Sequence, residues 1–232
     1  MSKKILNTFI IIFCVVICIF TIGCTPSEVV HYELPEEKIT SAFSSWQPVA
    51  FTEHALYEYD IVFESTDVEL YETGTLSLQV GGNAPAAISL KYSASLFDSS
   101  ISGRVRGNKA AIFSKMKNKL NEESIFSSIY SVLFEPMENE DMFSAMVADY
   151  TKLKLGESWT YEHADQVYKI TVTDINDYGG IDGVEFVITL DGEFLFSMCL
   201  SPMCPLPIMT LFTYESDGVT TYIMCALSKM CK

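Results

Sequence analysis

The spacing of hydrophobic residues changes along the chain and predicts a helix, a set of strands, a pair of helices and a second set of strands. Apolar residues recur at helical spacing in Pro35–Trp46, which predicts an amphipathic helix. The same spacing returns in Glu122–Pro136 and Met142–Tyr150, and predicts a central helical pair. Elsewhere apolar and polar residues alternate, as in Tyr57–Phe63, which is typical of a half-buried strand.

Strand-like runs make up most of the remaining chain and predict about ten strands. Turn-forming residues separate these runs, so neighbouring strands are expected to pair antiparallel. Besides Tyr57–Phe63, the runs are Val68–Val80, Ala86–Phe97, Ile101–Arg106 and Ala110–Met116, then Trp159–Glu162, Val167–Asp174, Val184–Leu190, Glu193–Leu200, Ile208–Ser216 and Val219–Ala226.

Two Asp-Gly dipeptides, at 191–192 and 217–218, are strong hairpin signals because both residue types tolerate positive φ. For the first hairpin, a three-residue loop over 190–192 makes one face wholly apolar, which favours it over a two-residue loop. That register pairs Ile188 with Phe194, Phe186 with Phe196, and Val184 with Met198.

The element order predicts an α+β fold: a large antiparallel β-sheet of about ten strands with an N-terminal helix and a central helical pair. The three prolines within 201–207 cannot lie in a central strand, so this segment is predicted to be a rigid connection between two strands.

An export signal occupies the first two dozen residues. Lys3 and Lys4 precede an apolar run over 5–22, as in a secretory signal. The run closes on Thr21-Ile22-Gly23-Cys24, which resembles the lipobox of prokaryotic lipoproteins, with threonine where that family usually has leucine. The resemblance implies that residues 1–23 are removed and that Cys24 is acylated, which holds the chain to the extracytoplasmic side of the cell membrane. An uncleaved signal anchor is the alternative, and it also exports the rest of the chain.

The remaining chain is expected to comprise a lipidated tether over 24–35 and a single antiparallel α+β domain over 36–232. The element order, together with the export signal, resembles the LolA/LolB-like lipoprotein carriers. That resemblance implies a half-barrel, an unclosed β-barrel whose open side is covered by helices. It rests on element order alone, so it assigns no binding residue.

The charge balance is strongly acidic. The chain has a formal net charge of −15, with 15 Lys and Arg against 30 Asp and Glu. Losing Lys3 and Lys4 with the signal would make it −17. Such a surface is expected to repel nucleic acid and anionic lipid headgroups, and no basic tract or basic amphipathic stretch argues otherwise.

Four of the seven cysteines lie beyond the signal and the lipobox: Cys199, Cys204, Cys225 and Cys231. An even number in an exported domain predicts two disulfides, whose pairing the sequence does not determine. Free buried thiols and a four-cysteine zinc site are the alternatives, although the spacings are wider than those of the usual zinc knuckles.

Catalytic chemistry has no recognisable site in the sequence. His31, His54 and His163 lack the neighbours that a nucleophilic triad requires, and no phosphate loop or metalloprotease motif occurs. The segment Asp174–Glu185 has EF-hand-like spacing, but Tyr178 is an unsuitable ligand, and a tight turn is the simpler interpretation. The protein is therefore expected to be non-enzymatic, with no cofactor and no metal.

The abundance of aromatic residues on alternating strands suggests a lipid or another hydrophobic molecule as the binding partner. The alternative role of these aromatic residues is to form an ordinary closed core. The alternative function is that of a structural or interaction lipoprotein of the cell envelope with no small-molecule ligand. The candidate ligand-binding residues, placed on inner faces by alternation, are Tyr57, Tyr59, Phe63, Phe186, Phe194 and Phe196.

Overall fold

The computed structural model describes residues 51–66, 70–84, 87–122, 124–138, 153–163, 165–216 and 219–231. The predicted helices Pro35–Trp46 and Met142–Tyr150 lie outside these residues. Within the described part of the chain, no helix combines the length and apolarity needed to cross a membrane.

Ten strands in the described residues form one antiparallel sheet, which confirms the predicted fold class. Seen from one edge, the strand order is β4-β3-β2-β1-β10-β9-β8-β7-β6-β5. The strands are β1 (Leu56–Ser65), β2 (Leu70–Ala84), β3 (Ala87–Leu96), β4 (Ser99–Gly107), β5 (Ser158–His163), β6 (Gln166–Tyr178), β7 (Ile181–Leu190), β8 (Glu193–Leu200), β9 (Met209–Ser216) and β10 (Val219–Cys231).

Two meanders make up the sheet, and the pairing of β1 with β10 joins them. β1 to β4 follow one another on one side of this junction, and β10 back to β5 follow on the other. In the register, Ile61 lies opposite Cys225 and Phe63 opposite Ile223. The first and last strands of the described residues are therefore central strands of the sheet.

Helices α1 (Lys109–Leu120), α2 (Ser124–Leu133) and the short α3 (Glu135–Glu138) connect β4 to the second half of the chain. α2 confirms the predicted helix in that region. The predicted strand Ala110–Met116 was wrong, because it lies within α1. The Asn108 side chain caps this helix by accepting a hydrogen bond of 2.8 Å from the Ala111 N–H. The α1 side chains that are buried recur at helical spacing: Ile112, Phe113, Met116 and Leu120.

The hydrophobic core lies between α1, α2 and one face of the sheet, which we call the inner face. Alternation along β1 buries Tyr57, Tyr59 and Ile61 on this face, each at most 1% exposed. Leu76 and Leu78 continue the core on β2, and the buried residues of α1 and α2 belong to the same cluster. The other face of the sheet is called the outer face.

The sheet is curved strongly enough to bring strands that are not neighbours into contact. The turn between β6 and β7 packs against β10, which is four strands away in the sheet order. A Cβ built on Gly179 would lie 3.1 Å from both Leu227 O and Lys229 N, so glycine is required by this close approach and by its φ of +61°.

The β7–β8 hairpin differs from its predicted register. Asp191 and Gly192 form a two-residue turn with φ of 53° and 90°, and Leu190 pairs with Glu193. A β-bulge then shifts the pairing, so that Ile188 lies opposite Phe196 and Phe186 opposite Met198. The predicted three-residue loop was wrong because the bulge, rather than the loop, restores the apolar face.

Candidate ligand-binding face

A continuous row of apolar side chains crosses seven strands on the inner face. Register partners in neighbouring antiparallel strands lie side by side on one face, so the pairing can be followed from strand to strand. We call these residues the apolar row; in sheet order they are Phe63, Ile223, Phe212, Phe196, Ile188, Ile170 and Trp159. On β2 the row ends at Glu72, the partner of Phe63.

Exposure varies along the apolar row. Phe196, Ile188 and Ile170 are buried, at 3% or less. By contrast, Phe63, Ile223, Phe212 and Trp159 are half-buried and expose part of their apolar surface. The row therefore offers apolar contact area at several positions along its length.

Aromatic contacts fix the side chains of the apolar row. Phe63 makes an edge contact with Phe97, with ring centroids 5.5 Å apart. Phe196 stacks on Phe212 at 4.7 Å, and Trp159 meets Phe186 edge-on at 6.3 Å. Such pairs prefer these offset and edge-to-face geometries, so the rings have defined orientations.

Two buried polar atoms near the row make no hydrogen bond with the described residues: Trp159 Nε1 and Thr210 Oγ1. Trp159 belongs to the row itself. Thr210 lies two positions from Phe212 on β9, between Met198 and Cys225. A buried polar group without a partner is unfavourable, and both atoms are closed off from solvent.

The six predicted ligand-binding residues fall into three groups. Phe63 and Phe196 lie in the apolar row, and Phe186 lies beside it and contacts Trp159. Tyr57 and Tyr59 lie on the same face but are buried in the core cluster that includes the helices. Phe194 lies opposite Thr189 at the end of the hairpin and is 40% exposed, so it is outside the row.

The proline-rich connection over 201–207 holds Tyr59 in the core. Its hydroxyl donates a 3.0 Å hydrogen bond to the Pro207 carbonyl and lies 3.9 Å from Cys204 Sγ. Burial, with the neighbouring Cys204, raises the pKa of Tyr59 well above its ordinary value. Burial likewise raises the pKa of Tyr57 to about 12. Both tyrosines are therefore neutral residues of the core.

Cys199, Cys225 and Cys231 are free thiols in the structure, which corrects the prediction of two disulfides among the four cysteines beyond the lipobox. Cys199 partners Met209, which in turn partners Ala226, so Cys225 points to the opposite face of the sheet. Two strand spacings, about 10 Å, also separate Cys199 from Cys225, which is beyond the reach of a disulfide. Cys199, Cys204 and Cys225 are buried, and Cys231 is exposed.

The other candidates for chemistry are dispersed. His54 is exposed beside Glu53, at 3.7 Å, and His163 is exposed and stacks on Tyr161. The segment with EF-hand-like spacing forms the β6–β7 hairpin, in which Asp174 partners Glu185. Within the described residues, no group of three or more potential metal ligands occurs.

Sequence reasoning missed Trp159, Phe212 and Ile223 as members of the row. Each lies in a predicted strand, but the row depends on pairing across the β1–β10 junction and the β8–β9 connection. The alternation within β9 and β10 indicates which residues share a face. It does not indicate which residues of other strands they meet.

No protein-family model matches the chain, and no curated protein sequence matches it. Its structure is similar to that of a Bacteroides fragilis protein described as exported with a YmcC-like fold, at 9% identity and a TM-score of 0.29; the match covers 78% of this chain and 97% of the other. It is also similar to a DUF1329 family protein from Desulfovibrio piger, at 10% identity and a TM-score of 0.21, covering 84% and 92% of the two chains. At these TM-scores neither similarity supports a conclusion about function.

Proposed function

We propose that this protein is a non-enzymatic extracytoplasmic lipoprotein, anchored through Cys24, that binds a lipid or another hydrophobic molecule along the apolar row. The observation that carries the binding proposal is the row itself. It places half-exposed apolar side chains from β1, β10 and β9 next to buried ones from β8, β7 and β6.

The anchorage is supported by the sequence before the described residues. Lys3 and Lys4, the apolar run after them and Gly23-Cys24 together match the order of a lipoprotein signal. Acylation at Cys24 would hold the domain beside a membrane, which is a source of hydrophobic ligands.

A short apolar segment suits the half-buried part of the row on β1, β10 and β9. These three neighbouring strands span about 10 Å at a strand spacing of about 4.8 Å. Contact with the half-buried side chains removes their remaining apolar surface from water.

A structural or interaction lipoprotein without a small-molecule ligand is the second candidate. It is favoured by the complete burial of Tyr57, Tyr59 and Phe186, which leaves these predicted ligand residues as core. The two candidates differ in whether the half-exposed part of the row takes up a ligand.

Uptake of a fluorescent fatty-acid analogue by the full chain distinguishes the two candidates. The test variant is Ile223→Ser, in the middle of the half-exposed part of the row. We expect it to weaken uptake about 10-fold, because it removes most of the apolar contact that this position offers the probe. Native mass spectrometry of the purified protein, followed by lipid extraction, should recover a bound hydrophobic molecule.

Tyr222→Ser is the matched control, because Tyr222 is the preceding residue of β10 and lies on the outer face. It should leave uptake unchanged. Equal loss of uptake in the two variants, or no uptake and no recovered ligand for the unaltered protein, would favour the lipoprotein without a ligand.

A further inference from the structure

Positive charge is concentrated in one part of this acidic chain. Residues 87–122, which form β3, β4 and α1, hold seven of the 15 Lys and Arg and only two of the 30 Asp and Glu. Their formal charge is therefore +5, which leaves −20 for the rest of the chain. The only two arginines of the sequence, Arg104 and Arg106, are both in β4.

Four of these cations lie together around the β4 edge of the sheet that the described residues form. Lys91 and Arg104 are register partners on β3 and β4, and β4 is an edge strand. Lys115 of α1 donates a 2.5 Å hydrogen bond from Nζ to the Arg106 carbonyl, which places the helix beside the same strand. We call Lys91, Arg104, Arg106 and Lys115 the basic edge. All four are exposed.

The charges of the basic edge are not neutralised by ion pairs within the described residues. By contrast, the α1 residues Lys117 and Lys119 pair with Glu135 and Glu122, at 3.9 Å and 2.5 Å. Lys91 and Arg104 also face each other directly, and like charges in that position destabilise a sheet.

The outer face beside the basic edge is lined by short hydroxyl side chains. The register aligns them in two rows across β2, β3 and β4, which are Thr75, Ser95 and Ser100, and Ser77, Ser93 and Ser102. Thr75 Oγ1 and Ser95 Oγ are 3.0 Å apart. Short side chains leave a flat surface rich in hydrogen-bonding groups, and a flat partner could approach it closely.

Protection of the sheet edge is the simpler explanation of these charges, because charged residues on edge strands prevent pairing with other chains. Edge protection does not account for Lys91, because this residue lies on β3, next to the edge strand β4, and faces Arg104. Charged residues of either sign can protect an edge, and acidic residues are twice as numerous in the chain.

We propose that the basic edge docks on the anionic headgroups of the membrane that holds Cys24. The inference rests on the anchorage in the proposed function and is independent of the apolar ligand. Acyl chains and a basic patch reinforce each other, because the anchor keeps the patch at high local concentration beside the headgroups. Once Lys3 and Lys4 are lost with the signal, the rest of the chain carries −22, and its repulsion turns the β4 edge, rather than another surface, toward the bilayer.

Hydrogen exchange of the full acylated protein tests this docking. The protein is held in nanodiscs of phosphatidylcholine, or of phosphatidylcholine mixed with phosphatidylglycerol. We expect slower exchange of the β4 edge amides in the anionic discs only, and reversal of this protection by raised salt. Arg104→Glu with Arg106→Glu should lower the ratio of docked to undocked protein about 25-fold or more, at about 5-fold for each lost cation.

The matched control is Lys154→Glu with Lys169→Glu, which changes the net charge equally at exposed lysines outside 87–122. It should retain the protection. Equal exchange in the two kinds of disc, or equal loss in both double variants, would overturn the proposal. Protection that requires an added envelope protein would assign the basic edge to a protein partner instead. Failure of the chain to be acylated would remove the anchorage itself, and is detected separately by the absence of the acyl mass.

Discussion

Phe196 and Phe212 stack across β8 and β9, with ring centroids 4.7 Å apart and ring planes within 2° of parallel. The two strands are linked by the proline-rich connection rather than by a tight turn. Phe196 is buried, whereas Phe212 is half-buried, so the stack joins the closed and the accessible parts of the apolar row.

The stack should be measurable as a coupling energy. Phe196→Ala should cost about 3–5 kcal/mol of unfolding free energy because it leaves a cavity in the core. Phe212→Ala should cost less, since its ring is partly exposed already. In urea denaturation, the double variant should reveal a coupling of about 1 kcal/mol. A coupling of zero would mean that the two rings contribute only through the area each one buries.

Tyr59→Phe should destabilise the protein by about 1–3 kcal/mol, because the buried Pro207 carbonyl loses its hydroxyl donor. Urea denaturation measures the change. Tyr222→Phe is the control, since this tyrosine is exposed, and it should have no effect. Equal stability of Tyr59→Phe and the unaltered protein would show that water replaces the lost donor.

The cysteines should differ sharply in reactivity. Burial raises the pKa of Cys225 to about 12, and burial with Glu185 raises that of Cys199 to about 12. Because the thiolate is the reactive form, alkylation of the folded mature chain should modify Cys231 alone among the four. In denaturant without a reductant, intact mass should then show four alkylated thiols. Fewer than four would restore a disulfide.

Stability should fall at alkaline pH. The folded-state pKa of the Cys225 thiol is about 12, against an ordinary value of 9.0. Below pH 9.0 the thiol is protonated in both states, so its stabilising effect is fully present, and it is lost as the pH rises from about 9 toward about 12. Cys225→Ser should flatten the pH dependence of the unfolding free energy in this window. Parallel curves for the two proteins would contradict the assignment.

Cys24→Ala should abolish incorporation of a radiolabelled fatty acid, because it removes the thiol that the lipobox resemblance identifies as the acylation site. Cys231→Ala is a suitable control and should incorporate label normally. Labelling of Cys24→Ala at the level of the unaltered protein would favour the uncleaved signal anchor.

Local patterns predicted the strands well because alternation and turn residues act within a few positions of one another. Tyr57, Tyr59 and Ile61 share the inner face as the alternation indicates. The pattern failed at Ala110–Met116, where Ile112 and Phe113 suit a strand or a helix equally. The informative signals there were the capping residue Asn108 and the helical spacing of Met116 and Leu120.

The candidate site was predictable only in part. The alternation within their own strands identified Phe63 and Phe196 as inner-face residues. Their common row, however, depends on the pairing of β1 with β10, which are about as far apart in sequence as the described residues allow. The basic edge was missed for a different reason. A net charge of −15 describes the whole chain and conceals a segment of opposite sign.

The β1–β10 junction also constrains the order in which the protein can fold. β10, the last strand of the described residues, lies at the centre of the sheet rather than at an edge. Each meander can form its hairpins early through local contacts. The two meanders can join only through the long-range pairing of β1 with β10, which requires β10 to be present. A truncation that removes β10 would thus separate the sheet into two halves, instead of shortening it by one strand at the edge.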